Sequence, residues 1–183
     1  MGRRRRQERK EDRQMGTQRS SATRYQMRQK LVAIGDDFFI ENDQGQKAFK
    51  VDGKALRVRD TLKFRDMQGN ELCKIQERKV RVKDSMEVEG PGGERLAMVK
   101  KALITPVRDR WTVKIGNGPD LEVQGNILDH EYRIGEGRDQ IAEVSKKWFR
   151  LRDSYGVQID PGQNDILILA VSVAVDMMAH EGR

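Results

Sequence analysis

The C-terminal stretch reads Asp165-Ile-Leu-Ile-Leu-Ala-Val-Ser-Val-Ala-Val-Asp-Met-Met-Ala-His180, and between Ile166 and Ala179 only Ser172 and Asp176 are polar. The apolar run is too long for one buried strand, which usually has about 4–8 residues. We therefore predict one helix over residues 165–179, roughly 22 Å long. A helix that is apolar on every side has to be enclosed on every side.

Two environments could enclose this helix: lipid, or the rest of the protein. Crossing a bilayer core takes about 20 apolar residues, and this run is shorter and contains Asp176. The sequence therefore favours a buried core helix over a membrane span. Asp176 would lie near the negative end of the helix dipole, which is unfavourable for a carboxylate. We predict a basic side chain or backbone N–H groups within hydrogen-bond distance of it.

The preceding sequence has the pattern of short strands. From Tyr25 to Ile159, apolar residues alternate with polar ones, and Gly, Asn or Asp separate the alternating segments. The segments ending at Ile115 and beginning at Leu121 flank a five-residue loop, which is typical of a hairpin. This pattern predicts about twelve strands at intervals of about 8–12 residues.

Alternation of this kind gives each strand one buried face and one solvated face, as in an antiparallel sheet. A sheet this wide tends to curl, and closure removes its edges. A barrel of about twelve strands has more interior space than its own side chains fill. We therefore predict a mainly β protein, a closed antiparallel barrel of about twelve strands around the C-terminal helix.

Basic residues are concentrated at the N-terminus. Residues 1–24 contain nine Lys or Arg and three Asp or Glu, a net charge of +6 in a chain of net charge +7. The segment has no large apolar residue except Met1 and Met15, so it buries too little surface to offset its ordering entropy. We predict a disordered basic arm over residues 1–24 and a barrel domain over residues 25–183. Such an arm could bind anionic surfaces or only keep the protein soluble.

The cysteine content bears on the cellular compartment. The single cysteine, Cys73, excludes an internal disulfide and suits a reducing compartment. The basic start is not followed by the apolar segment of a signal peptide. We predict a cytoplasmic protein that can also lie peripherally at a membrane.

Several stretches together resemble the LURP-one-related family, over about residues 25–180. They are Met27-Arg-Gln-Lys-Leu31, Val51-Asp-Gly-Lys54, Asp66-Met-Gln-Gly-Asn-Glu-Leu72, Gly125-Asn-Ile-Leu-Asp-His-Glu-Tyr132 and the long run from Lys147 to Asp176. The resemblance implies the tubby-like fold, a twelve-stranded barrel around a central hydrophobic C-terminal helix. That fold is similar to tubby C-terminal domains, which bind phosphoinositides, and to phospholipid scramblases. The family offers no catalytic residues to carry over.

The scramblase comparison raises the question of calcium. Asp153, Tyr155 and Gly156 fit an acidic loop before the C-terminal helix, but the position two before Asp153 is Leu151 rather than an acid. Calcium takes about 6–8 oxygen ligands, and the spacing of Asp153, Asp160 and Asp165 does not match a calcium loop. We interpret these three as turn aspartates and expect no metal and no cofactor.

Signals for catalysis are weak. No P-loop, dinucleotide fingerprint or nucleophile elbow is present. Cys73 lies in an alternating segment, which favours a packing role. His130 lies between Asp129 and Glu131, but neighbours along a strand point to opposite faces and do not converge on a substrate. Trp111 and Trp148 are expected to pack in the barrel core or at its rim, although both could serve as ligand platforms.

Our first hypothesis is a non-enzymatic binding module for anionic lipid head groups, such as phosphoinositides, or for another phosphate-bearing partner. Nucleic-acid binding through the arm is the alternative, because arginine neutralises phosphate in either. An enzyme that uses the barrel mouth is a third hypothesis. The predicted anion-binding residues are Arg3, Arg4, Arg5, Arg6, Arg9, Lys10, Arg13, Lys146, Lys147 and Arg150. A wider rim patch would add Lys100, Lys101, Arg108, Arg110 and Arg152.

Overall fold

The computed structural model describes residues 21–28, 37–53, 61–77, 85–101, 109–149 and 154–180. Within these residues there are twelve strands, one 3-10 turn (Lys146–Trp148) and one α-helix, α1 (Asp165–His180). The strands are β1 (Thr23–Arg28), β2 (Phe38–Asn42), β3 (Lys47–Asp52), β4 (Thr61–Asp66), β5 (Glu71–Glu77), β6 (Ser85–Glu89), β7 (Arg95–Lys101), β8 (Asp109–Ile115), β9 (Leu121–Asn126), β10 (Glu131–Glu136), β11 (Asp139–Ser145) and β12 (Ser154–Ile159).

The twelve strands of the described chain form one closed barrel. Each strand pairs antiparallel with the next, and β1 pairs with β12 to close it, with Tyr25 opposite Val157. Along β9, Leu121 and Val123 are buried while Glu122 and Gln124 are only partly covered, as period-two alternation requires. The predicted closed antiparallel barrel is confirmed.

Helix α1 fills the inside of the barrel. It packs against β5, β6, β7 and β12, and Leu169 and Val173 are fully buried. The Asn164 side chain caps its start by accepting a hydrogen bond from the Leu167 backbone N–H over 3.1 Å. The prediction of an enclosed helix is therefore confirmed, with one residue added at its C-terminal end.

The start of α1 is tied to the barrel wall. The hydroxyl of Tyr25 on β1 donates to Asp165 Oδ2 over 2.7 Å, and Asp165 is the first residue of α1. This bond joins the first strand of the barrel to its central helix. None of the helices in the described residues is long and apolar enough to cross a membrane.

The predicted basic arm falls largely outside the described residues. Strand β1 begins at Thr23, so residues 23 and 24 belong to the barrel wall. Residues 1–20 are not described.

Candidate functional site

The N-terminal arm joins the barrel beside a small group of basic and aromatic side chains. Arg24 is paired with Gln158 across β1 and β12, and its Nε donates to Gln158 Oε1 over 2.7 Å. The Arg24 guanidinium carbon lies 5.4 Å from the centroid of the Trp148 ring. Lys146 and Lys147 precede Trp148 in the 3-10 turn. We call Arg24, Lys146, Lys147 and Trp148 the basic patch.

Glycine 156 fixes the position of this 3-10 turn on the barrel. A Cβ at Gly156 would lie 2.7 Å from a ring carbon of Phe149 and 2.8 Å from a ring carbon of Trp148. Both distances are too short for a real side chain, so only glycine lets the two rings pack this closely against β12. The basic patch is therefore held by ring packing on the barrel wall.

A carboxylate lies inside the basic patch. Glu131 accepts hydrogen bonds from Ser145 Oγ over 3.0 Å and from the Lys146 backbone N–H over 3.1 Å. Its Oε2 also lies 3.3 Å from Lys147 Nζ. The Ser145 oxygen in turn accepts from the Lys147 backbone N–H and caps the turn. Glu131 therefore orders the lysine turn and offsets part of its charge.

The predicted anion-binding residues divide into a described and an undescribed group. Lys146 is half-buried, Lys147 is exposed, and they lie together as expected of neighbours. Lys100, Lys101 and Arg110 of the wider rim patch lie on β7 and β8, three or four strands from β11, and so do not join them. The other predicted residues lie outside the described part of the chain: Arg3, Arg4, Arg5, Arg6, Arg9, Lys10, Arg13, Arg108, Arg150 and Arg152.

A second group of polar side chains lies inside the barrel. His130 Nε2 is 2.6 Å from Asp176 Oδ1, and both side chains are at most 3% exposed. The His130 ring stacks on Tyr155 with ring centroids 4.2 Å apart. Ser172 lies one turn before Asp176 on α1, and its hydroxyl donates to the Ile168 carbonyl over 2.9 Å. The predicted basic partner of Asp176 is confirmed, and it is His130.

The turn between β9 and β10 brings His130 into the barrel. Asn126 and Asp129 stabilise it, with Asn126 Nδ2 donating to Asp129 Oδ2 over 2.6 Å. His130 closes the turn with a φ of 53°, a left-handed conformation that is uncommon for a residue other than glycine. Ile127 and His130 are consequently buried while Leu128 is exposed. Asp129, His130 and Glu131 contact Asn126, Asp176 and Ser145 respectively, so they do not converge. The cause is the turn rather than strand alternation, because β10 begins only at Glu131.

Two tyrosines complete the buried cluster. Burial, and then the negative charge of Asp176, raise the pKa values of Tyr132 and Tyr155 above the ordinary phenol value. The Tyr155 hydroxyl has no hydrogen-bond partner among the described residues. These groups are within the core, so their arrangement fits a packing role and leaves no surface on which a substrate would meet them.

The remaining candidates have structural surroundings. Cys73 is fully buried, and burial raises its thiol pKa to about 12, which is opposite to what a nucleophile requires. Trp111 is buried in the core. The Asp160 backbone N–H donates to the Ile141 carbonyl and Asp165 accepts from Tyr25, while Asp153 is outside the described residues. No cluster of three or more His, Cys, Asp or Glu suited to a metal ion occurs in the described ranges.

Comparison with known proteins identifies the family. The sequence pattern of the LURP-one-related family matches residues 23–176. The chain belongs to this family. The chain is 27% identical over 154 residues to a Bacillus subtilis (strain 168) protein named uncharacterized protein YxjI. The match covers 84% of this chain and 92% of that protein.

A solved structure has the same fold. The X-ray structure of an Arabidopsis thaliana protein superposes with a TM-score of 0.65 at 19% sequence identity, covering 87% of this chain and 92% of that chain. This likeness concerns the fold alone. The same fold therefore occurs in a protein of low sequence identity.

Proposed function

We propose that the protein is a non-enzymatic binding module that attaches to anionic lipid head groups through its basic arm and the basic patch. The distribution of charge carries this proposal. Residues 1–24 account for +6 of the net charge of +7, so the rest of the chain is nearly neutral. Attraction to phosphate should therefore come mainly from one end of the chain.

The place where the arm meets the barrel supports the proposal. Thr23 is opposite Ile159 and Gln26 is opposite Gly156, while Gly156 is also opposite Ser145. The arm thus enters about three residues, or roughly 10 Å, from the lysine turn along the strands. Arg24 lies between the start of β1, where the arm enters, and the lysine turn, and its guanidinium group contacts the Trp148 ring. The arm and the basic patch could therefore contact one surface together.

Lipid is favoured over nucleic acid by the aromatic side chains. Proteins that hold single strands stack bases on exposed aromatic rings, and residues 1–24 contain none. Trp148 is partly covered, since it packs on Gly156 and lies under Arg24. A head-group surface needs only positive charge, worth about 1 kcal/mol for each Lys or Arg near the membrane. Nucleic acid remains the alternative because its backbone offers the same charge.

The test measures binding of the full chain and of a chain lacking residues 1–20 over a series of salt concentrations. The targets are phosphatidylcholine vesicles with and without phosphatidylserine or a phosphoinositide, and duplex DNA. We expect binding to anionic vesicles that weakens steeply with salt and is mostly lost on deletion. The deletion ends before β1, so it should leave the melting temperature nearly unchanged.

A matched pair of variants separates the basic patch from general charge. Lys146→Gln with Lys147→Gln removes two adjacent lysines from the patch, and Lys100→Gln with Lys101→Gln removes two from β7, four strands away. Only the first pair should weaken vesicle binding. Equal effects of both pairs, or undiminished binding after deletion of the arm, would overturn this assignment of the surface. Tighter binding to DNA than to vesicles would favour the alternative.

A further inference from the structure

A concavity lies on the outer surface of β9, β10 and β11. Its volume is about 210 Å³, which is smaller than the clefts of about 300–1,000 Å³ that hold drug-sized ligands and suits a smaller organic molecule. Glycine backbone forms part of its lining. Its polar side chains are Glu122, Gln124, Arg133, Arg138, Asp139 and Gln140.

The strand register explains why this part of the barrel wall is concave. Gly135 of β10 is opposite Glu122 of β9 on one side and opposite Gln140 of β11 on the other. Arg133 precedes it by two residues and so shares its face of the sheet. Gly135, which has no side chain, is therefore surrounded by residues with long polar side chains. A Cβ at Gly135 would lie 2.7 Å from the Asp139 carbonyl oxygen, so the chain geometry requires glycine here.

The turn after β10 shapes one end of the concavity. Gly137 has a φ of 60° and joins β10 to β11 with Arg138 as the second turn residue. The pairing of β10 with β11 shifts between Ile134 and Gly135, which is a β-bulge. Bulges are common next to binding sites because they redirect side chains. The bulge and the turn place Arg138 and Asp139 at the concavity.

Three charged side chains in this concavity, Arg133, Arg138 and Asp139, differ from the paired charges of the barrel wall. Most described surface ion pairs join neighbouring strands or turns, as in Lys63 with Glu71 and Lys74 with Glu89. Among the described residues, neither Arg133 nor Arg138 has a carboxylate oxygen within 4.0 Å. Asp139 lines the same space without pairing with either. Glu122, by contrast, accepts a hydrogen bond from Gln124 Nε2 over 2.6 Å, and its Oε2 lies 4.0 Å from Arg110 Nε. Arg133, Arg138 and Asp139 are therefore the charged side chains of the lining that remain available to a ligand.

We propose that this concavity binds a small zwitterion, with Arg133 and Arg138 contacting its phosphate or carboxylate and Asp139 contacting its ammonium group. Because side chains of both signs share one lining, such a ligand can make two kinds of contact that a simple anion or a simple cation cannot make together. Gln140 supplies an amide group for further hydrogen bonds, and Gln124, whose Nε2 donates to Glu122, supplies its amide oxygen as an acceptor. The polar lining disfavours an apolar ligand.

This site is separate from the proposed membrane attachment. Asp139 and Ser145 are at opposite ends of β11, six residues apart, which corresponds to about 20 Å. The two proposals therefore fail independently. If the patch variants lose vesicle binding, ligand binding at the concavity should be unchanged. If variants of the concavity lose ligand binding, vesicle binding through the basic patch should be unchanged.

The test titrates the isotopically labelled full chain with O-phosphoethanolamine and follows the backbone amide signals of Gly135 and Gly137 by nuclear magnetic resonance. Inorganic phosphate and ethanolamine are titrated separately as probes of single charge. We expect saturable shifts at both glycines with O-phosphoethanolamine and at least tenfold weaker binding of each single-charge probe. Equal binding of inorganic phosphate, or no shift at these glycines, would overturn the proposal.

Substitutions then identify the contacts. Arg133→Gln, Arg138→Gln and Asp139→Asn should each weaken O-phosphoethanolamine binding at least tenfold. Arg65→Gln is the matched control, because β4 lies six strands from β10 in either direction around the barrel. An equal loss with Arg65→Gln would refute the site. The ligand could be a lipid head group or a free small molecule. Binding to neutral vesicles that contain phosphatidylethanolamine, but not to neutral vesicles without it, would indicate a lipid head group.

Discussion

His130 and Asp176 lie 46 residues apart in the chain, yet His130 Nε2 and Asp176 Oδ1 are 2.6 Å apart inside the barrel. The pair joins the turn between β9 and β10 to the last turns of α1. Strand pairing alone does not hold a helix in place along the barrel axis. This contact, with that of Tyr25 and Asp165 at the other end of the helix, fixes α1 at both ends.

Breaking the His130–Asp176 pair should destabilise the protein strongly, because the remaining group stays buried. We expect His130→Asn and Asp176→Ala each to lower the free energy of unfolding by about 3–5 kcal/mol. Asn is chosen at position 130 because it tolerates the left-handed backbone there. Urea denaturation measures both. The double variant should lose less than the sum of the two, and strict additivity would mean that the side chains do not interact.

Much of this fold could be predicted because its signals are local. Alternation with period two marks strands within a few residues, and the apolar run that includes Leu169 and Val173 requires enclosure whatever surrounds it. The need of Asp176 for a partner also followed from its place on the helix. The partner did not, because His130 reaches it only through a left-handed turn whose conformation depends on Asn126, Asp129 and the strand register.

The surface sites were harder to predict for the same reason. Glu131 is distant in sequence from Ser145 and Lys147, and only the pairing of β10 with β11 brings the three together. The concavity around Gly135 likewise depends on which residues lie opposite it. Sequence composition indicated basic charge near Lys146 but did not indicate the carboxylate that offsets it.

The enclosure of α1 predicts a large effect of a cavity in its middle. Leu169→Ala should lower the free energy of unfolding by about 2–5 kcal/mol, because Leu169 is fully buried. Leu128→Ala is the matched control, since Leu128 is 41% exposed and its replacement should change stability by no more than about 0.5 kcal/mol. Thermal and urea unfolding measure both variants. Similar stability of the two would show that α1 is not the centre of the core.

The thiol of Cys73 should be unreactive while the protein is folded. Its side chain is fully buried, and burial raises its pKa to about 12, so almost no thiolate forms near neutral pH. We expect slow reaction with a thiol-specific disulfide reagent in buffer and rapid reaction in denaturing urea. Fast reaction of the native protein would place Cys73 at the surface.

The three tyrosines predict how stability depends on alkaline pH. Burial and nearby acidic groups raise the pKa of Tyr25, Tyr132 and Tyr155, which are all the tyrosines of the chain. The folded state therefore binds these protons more tightly than the unfolded state, whose phenols titrate near about pH 10. The resulting stabilisation is complete below that pH and is lost as the pH rises through the folded pKa values.

The measurement is the ultraviolet absorbance of tyrosinate during an alkaline titration. Native protein should show little tyrosinate about one unit above pH 10, whereas protein in urea should already be mostly ionised. Tyr25→Phe removes the phenol that donates to Asp165 and should leave only the two from the buried cluster to ionise. Native ionisation near pH 10 would contradict the buried positions of these side chains.

The carboxylate within the basic patch predicts a variant that binds more tightly. Glu131 lies 3.3 Å from Lys147 Nζ and offsets its charge. Glu131→Gln keeps acceptor oxygen for Ser145 but removes the negative charge, so binding to anionic vesicles at low salt should strengthen by about 1 kcal/mol, or roughly fivefold. Vesicle sedimentation measures the change. Glu77→Gln, on β5, makes the same change of net charge and serves as the control. If both variants gain equally, overall charge rather than the patch controls binding, and if neither gains, the patch does not face the membrane.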